Sequence, residues 1–301
     1  MLGILLFGLC TSAANSQETS SSERTYLGQE MCVGCHRNEN DHWSHTVHAK
    51  VFLTNPPNDL AAKGCEACHG PGSEHLTDVL SKSKIISFTR DSGYSPTEQN
   101  DVCMTCHGGS ERIHWQGSPH QINDLACGDC HNPMASFSDT GLLRTEAIHD
   151  TCFGCHQKQR IEFRKRSHMP LFEGKVSCSD CHNPHGSQSD SLVKANTVNQ
   201  MCFQCHAEKR GPFIFSHAPV RESCLNCHSP HGSNHEMLLT SARPFLCQQC
   251  HTSRGHPNDL LTRANLPGAA SPDIRMVNRG CQSCHTQVHG SNHPSGVRLS
   301  R

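Results

Sequence analysis

Apolar residues along this chain rarely gather into runs long enough to predict a core element. The one continuous apolar stretch, residues 1–9, is far shorter than the roughly 20 residues a membrane-spanning helix needs. Ser12, Ala13 and Ala14 follow it as at a signal-peptidase site, so residues 1–14 read as a secretory signal, although a basic n-region is missing. Cys10 is expected to leave with that signal, because Leu9 stands where a lipid-anchoring motif needs a small residue. Residues 15–26 are rich in Ser and Glu and predict a flexible leader. Over residues 27–301, Gly and Pro punctuate a largely polar chain, as at Gly70-Pro71-Gly72, Asn183-Pro184-His185-Gly186 and Ser229-Pro230-His231-Gly232. Such groups mark tight turns after short helices. The expected fold is therefore an assembly of short α-helices and loops, with little or no β-sheet.

Composition changes what must fill the interior. A chain of 301 residues would ordinarily suggest two domains, yet only 34% of it is hydrophobic, and that fraction includes 21 Cys. Chains with so little apolar surface need disulfides, metals or cofactors to fold. The 25 His, set against 2 Trp and 2 Tyr, point to cofactors.

The cysteine spacing identifies them. All cysteines except Cys10 fall into ten copies of Cys-x-x-Cys-His, with thiols at Cys32 and Cys35, Cys65 and Cys68, Cys103 and Cys106, Cys127 and Cys130, Cys152 and Cys155, Cys178 and Cys181, Cys202 and Cys205, Cys224 and Cys227, Cys247 and Cys250, and Cys281 and Cys284. The motif histidines are His36, His69, His107, His131, His156, His182, His206, His228, His251 and His285. One Cys-x-x-Cys is weak evidence, since zinc sites and redox dithiols share it. Ten out of ten followed by His has a chance probability of about 10⁻¹¹ at this His content, and is the signature of c-type haem attachment. Positions i, i+3 and i+4 share one face of a helical turn. Both thiols then reach the vinyl groups of one porphyrin, and the imidazole lies under the iron as proximal ligand. Ten covalent haems imply export from the bacterial cytoplasm, and no cysteine pair remains for a structural disulfide.

The motifs form five dihaem units, about 32–75, 103–134, 152–185, 202–231 and 247–293. Each unit places a His in the spacer between its two motifs: His48, His120, His168 and His217, with His256 in the shortened fifth spacer. Four carry another His after the second motif: His75, His185, His231 and His289. A lone His is ordinarily a surface or hydrogen-bonded residue, the reading given to His42, His45, His114 and His235. Recurrence at fixed places in a repeat makes the other nine candidate distal ligands. The second unit holds Met134 where its neighbours hold His. The tenth ligand is either Met134, which would raise that haem's potential, or a spare His such as His293 or His149. Met is also an ordinary gap-filler, so ten bis-His haems is the preferred reading.

Several segments closely resemble the MtrA/DmsE family of periplasmic decahaem cytochromes: Cys65-Glu-Ala-Cys-His-Gly-Pro-Gly72, Cys178-Ser-Asp-Cys-His-Asn-Pro-His-Gly186, His206-Ala-Glu-Lys-Arg-Gly-Pro212, His217-Ala-Pro-Val220 and His289-Gly-Ser-Asn-His-Pro-Ser-Gly296. The likeness runs from about Leu27 to the end and is densest from Cys178 onward. It departs at Met134 and at His168-Met169-Pro170. The resemblance implies an elongated haem wire in the periplasm, associated with the outer membrane and threaded into an outer-membrane β-barrel protein. Its partners would be a periplasmic or inner-membrane cytochrome donor and an extracellular multihaem cytochrome or reductase, serving metal oxide, dimethyl sulfoxide or ferrous iron.

The residues themselves argue for electron carriage over catalysis. A haem that binds substrate needs an open axial position, and the histidines suffice to close all ten. No motif has Lys in place of its His. The alternatives are a soluble periplasmic shuttle and a multihaem oxyanion reductase with one five-coordinate haem. The apoprotein carries a net charge of −1; twenty haem propionates would bring it to about −20 if all ionise. Arg164-Lys165-Arg166 and Lys209-Arg210 therefore read as propionate partners or solvated faces, and no nucleic-acid partner is expected. There is no phosphate loop, nucleophile triad or carboxylate dyad.

Overall fold

The computed structural model describes residues 24–251, 280–294 and 296–299. Among them the chain forms short α-helices and single 3₁₀ turns joined by loops. No strand is present among the described residues, and extended pairing is confined to isolated bridges. The helix-and-loop class expected from the sequence is the one observed. The signal segment with Cys10, most of the leader, and His256 lie outside the described residues.

Local sequence explains the lengths. The longest helix, Pro96–His107, has 12 residues and a full set of start signals: Ser95 caps it, Glu98 closes the capping box, and Pro96 occupies the first turn. Its last two turns carry Cys103, Cys106 and His107. Other helices are far shorter; Cys127–Cys130 and Cys178–Cys181 have 4 residues each. Helices of that length do not persist alone in water, so their neighbours and cofactors must hold them.

The Cys-x-x-Cys-His motif takes two backbone forms. In the first motif of three units the His interrupts a helix pair: His36 (ψ 53°), His156 (ψ 61°) and His206 (ψ 51°) each leave helical geometry before a new helix or 3₁₀ turn begins. In the second motif the His is extended, as at His131 (ψ 144°) and His182 (ψ 141°), and the chain turns back on itself. Isolated bridges His131↔Leu143, His182↔Val193 and His228↔Leu239 close these returns.

Buried apolar side chains are few and scattered. Among the described residues the one connected cluster, Phe153, Phe163 and Leu171, lies in the third unit with Met169 and Val176 against it. The N-terminal edge is instead held by a buried carboxylate. Glu66 is 1% exposed and accepts hydrogen bonds from the Leu27 (3.0 Å), Gly28 (2.8 Å) and Gly72 (2.8 Å) amides. Ordered contact begins ahead of Leu27: Thr25 exchanges hydrogen bonds with Ser73, and Arg24 pairs with Glu74 at 2.9 Å. Removing a buried acceptor strands its donors at about 1–3 kcal/mol each. Glu66→Ala should therefore cost about 3 kcal/mol locally and free the segment around Thr25 and Tyr26. Faster amide exchange at Leu27 and Gly28, with little change beyond Pro96, is the expected readout.

Candidate haem sites

The ten motifs follow one another in space as they do in sequence. Within each unit the leading thiols of the two motifs lie close enough to shift each other's ionisation: Cys32 with Cys65, Cys103 with Cys127, Cys152 with Cys178, Cys202 with Cys224, and Cys247 with Cys281. Between units the trailing thiols interact: Cys68 with Cys106, Cys130 with Cys155, Cys181 with Cys205, and Cys227 with Cys250. These two kinds of contact alternate from the first motif to the tenth. All the motif thiols are free of disulfides. Burial, the main cause, pushes the Cys65 thiol up to about 11 and Cys202 up to about 12.

Histidine rings then meet in pairs, each pairing one motif His with one His from outside the motifs. Two imidazoles on opposite sides of one iron, with bonds of about 2 Å, place their ring centroids about 6 Å apart. The observed separations are 6.2 Å for His36 and His75, 5.8 Å for His107 and His48, 6.0 Å for His156 and His120, and 5.9 Å for His131 and His185. They are 6.0 Å for His182 and His231, 6.0 Å for His251 and His217, and 6.2 Å for His228 and His289. The donor set and its spacing fit haem iron, and the Nδ1 atoms of His48, His75 and His185 are buried without a protein partner.

The pairing obeys a rule that sequence alone did not reveal. A spacer His faces the first motif His of the following unit, as His48 faces His107, His120 faces His156 and His217 faces His251. A His after the second motif faces the second motif His of the preceding unit, as His185 faces His131, His231 faces His182 and His289 faces His228. Among these seven pairs only His75 closes onto its own unit, at His36.

Each second-motif His is also oriented from behind by a backbone carbonyl. Its Nδ1 lies 2.7 Å from Ile86 O for His69, 2.6 Å from Gly141 O for His131, 2.7 Å from Ser191 O for His182, 2.8 Å from Met237 O for His228 and 2.6 Å from Arg298 O for His285. A carbonyl accepts only from N–H, which fixes the tautomer and leaves Nε2 as the ligating lone pair. Two adjacent left-handed residues aim most of these carbonyls: Gly141 and Leu142 (φ 61° and 51°), Ser191 and Leu192 (55° and 59°), Met237 and Leu238 (57° and 59°). Non-glycine residues adopt that region at a cost of order 1 kcal/mol, which the hydrogen bond and the bridge beside it offset. The sequence trace of this device is Leu142, Leu192 and Leu238, each ten or eleven residues past a motif His.

Burial lowers the proton affinity of many of these rings. It holds His48, His69, His107, His156, His231 and His289 below the ordinary histidine range and takes His185 down to about 4. Neutral imidazole is the form that binds iron.

Not every nominated side chain meets a motif His. His168 lies 2.7 Å by Nδ1 from Lys165 O and 3.2 Å by Nε2 from the Glu173 carboxylate, and these two acceptors raise its pKa. His149 sits among aromatic rings, 5.8 Å from Phe153 and 5.5 Å from Phe172. The His293 amide is held by Ser291 in the last unit. Arg166 pairs with Glu236 at 3.6 Å, and Arg164 lies over the Phe172 ring at 6.0 Å.

Repeated thioether motifs with imidazoles on both sides define a multihaem c-type cytochrome, a protein that binds haem c covalently and transfers electrons. A doubled CXXCH motif family matches residues 120–161, 168–211 and 217–256, each match starting on a spacer His. A family of NrfB-like c-type cytochromes matches residues 65–140. The multiheme cytochrome MtrA of Shewanella baltica is 42% identical over 277 residues, covering 91% of this chain and 81% of that one. The cytochrome c-type protein NrfB of Escherichia coli is 30% identical over 176 residues, 52% of this chain and 86% of its own. This chain belongs to the MtrA family of multihaem cytochromes.

Proposed function

We propose that the chain is a periplasmic decahaem wire, carrying electrons between periplasmic or inner-membrane donors and an outer-membrane or extracellular redox partner, and that it works inserted in an outer-membrane β-barrel protein. The observation that carries this reading is the row of facing imidazole pairs at 5.8–6.2 Å, with the motif thiols of successive sites near one another in sequence order. Haem iron, when bound, supplies one-electron chemistry with no bonds made or broken to substrate. What the chain does is geometric. Its cysteines fix neighbouring sites against one another, its carbonyls lock the imidazole tautomers, and its second histidines exclude water and substrate from the metal. The resemblance to MtrA supports the barrel and the periplasmic location, and the choice among metal oxide, dimethyl sulfoxide and ferrous iron rests on the partner at the outer end.

Mass measurement of the mature protein should find ten attached haems. Co-purification with an outer-membrane barrel protein is the expected result of gentle membrane extraction; a monomeric periplasmic species under the same conditions would replace the conduit by a soluble shuttle.

The reductase alternative has one foothold, the engagement of His168 by Glu173. His168 stands where a spacer His should face His206, and a side chain kept at Glu173 would leave that site open to a small oxyanion. Electron paramagnetic resonance of the oxidised protein should show low-spin haem throughout; one high-spin haem in ten, lost on Glu173→Ala as His168 is released, would establish the open site instead.

A further inference from the structure

We infer that Met134 supplies the sixth ligand to the haem of the second motif, opposite His69, so that one site of the ten has His/Met coordination. The inference rests on the multihaem reading above and adds a residue to it. It follows from the pairing rule. The residue after a second motif reaches back to the second motif His of the unit before: His185 to His131, His231 to His182, His289 to His228. One step earlier in the same series, the acceptor is His69 and the donor position is Met134.

The local fold at Met134 is the fold that presents His185. His131 bonds Gly141 O as His182 bonds Ser191 O; the Asn132 amide bonds Leu142 O at 2.7 Å as the Asn183 amide bonds Leu192 O at 2.8 Å. The Met134 amide donates to Asn132 Oδ1 at 3.1 Å, and the His185 amide donates to Asn183 Oδ1 at 3.2 Å. Arg144 returns to Cys130 O as Lys194 returns to Cys181 O, both at 2.9 Å. Met134 therefore leaves the backbone from the same place and in the same frame as a histidine that faces a motif imidazole.

The two units are also tied together at this point. Residues 86–90 run from His69, whose Nδ1 is 2.7 Å from Ile86 O and whose ring is 5.4 Å from Phe88, to the helix Cys127–Cys130, where Arg90 pairs with Asp129 and Gly128 packs on Phe88. Phe88 stands two residues past the carbonyl that orients His69, the place of Leu143, Val193 and Leu239 in the later units, so it belongs to the proximal side. The one departure is Ala135, where the later units have Gly186 and Gly232. Those glycines admit the backbone of the preceding unit; between the first two units a connection runs instead through the 86–90 segment and the helix Cys127–Cys130.

The other candidates are committed elsewhere. His149 packs on Phe153 and Phe172 in the third unit, and His293 belongs to the fifth. A thioether on iron stabilises the reduced state relative to a second imidazole, so the site would be a high-potential step one place in from the end of the row.

The test uses the intact mature protein with its haem content established by mass. The oxidised wild type should show the long-wavelength methionine-to-iron charge-transfer band at an intensity of one haem in ten. Met134→His should abolish the band, keep all haems low-spin, and move one of ten reductive waves to lower potential. Met134→Ala should abolish the band and convert one haem to high spin. Ten haems with no such band in the wild type, or Met134→Ala with spectra unchanged, would overturn the assignment while leaving the decahaem reading intact. A wild type with far fewer than ten haems would instead overturn the reading on which it rests.

Discussion

Replacing Gly232 by Ala is expected to detach one distal histidine and to destabilise the third and fourth units by about 3 kcal/mol or more. At φ +156° the added Cβ would stand 1.9 Å from Glu162 O and 2.7 Å from Glu162 C, both backbone atoms that cannot swing aside. The residue before it, His231, faces His182 and lies 3.4 Å by Nδ1 from the Glu162 carboxylate. Pushing the two chains apart at Gly232 therefore withdraws the imidazole. One haem in ten should turn high-spin, and amide exchange should quicken at Ser233 and Ser167, which are paired across the same junction. Gly186→Ala, whose Cβ would stand 2.0 Å from His114 O, should do the same at His131. Gly109→Ala is the control: nothing lies within 4 Å, and neither spin state nor stability should change measurably.

The second large effect concerns the row itself. Converting Cys127 and Cys130 together to Ser should remove the fourth haem, lowering the mass by one porphyrin, and sever conduction between the two ends. The thiols of the fourth motif lie beside those of its sequence neighbours, Cys127 beside Cys103 on one side and Cys130 near Cys155 on the other. A reductant delivered at one end should then reduce only the haems on its own side of the gap on the time scale that fills all ten in the wild type. The same double substitution at Cys281 and Cys284 should also remove one haem, yet leave nine that still reduce together. Equal kinetics in the two variants would mean that electrons do not pass along the row in order.

The Cys-x-x-Cys-His motifs can be read directly off the sequence, because two thiols and an imidazole at i, i+3 and i+4 share one face of a helical turn. So can the fold class, since a chain this polar can bury little except its cofactors. The distal histidines could be nominated from their recurrence, and seven of the nine stand opposite a motif His. Their partners could not be read. His185 follows His182 by three residues, yet it crosses to His131, which lies 54 positions away. Neighbourhood in sequence misleads here because a ligand three residues past a motif has turned away from that motif's own ring. The carbonyls behind His69, His131, His182, His228 and His285 were missed for a different reason: a backbone oxygen has no letter in a sequence, and only the strained leucines beside three of them leave a trace.

Because each unit lends one imidazole to the unit before it and another to the unit after, the molecule is built like a course of roof tiles, every piece lapping its neighbours. Whole tiles can be added or taken out from the middle without leaving a seam. Deleting one complete period, the third, would bring His231 onto His131 and His120 onto His206 and keep those sites paired. Length can then change by full periods, each bringing two haems, and the match of a shorter NrfB relative along 86% of its own length to about half of this chain is what such growth would leave behind.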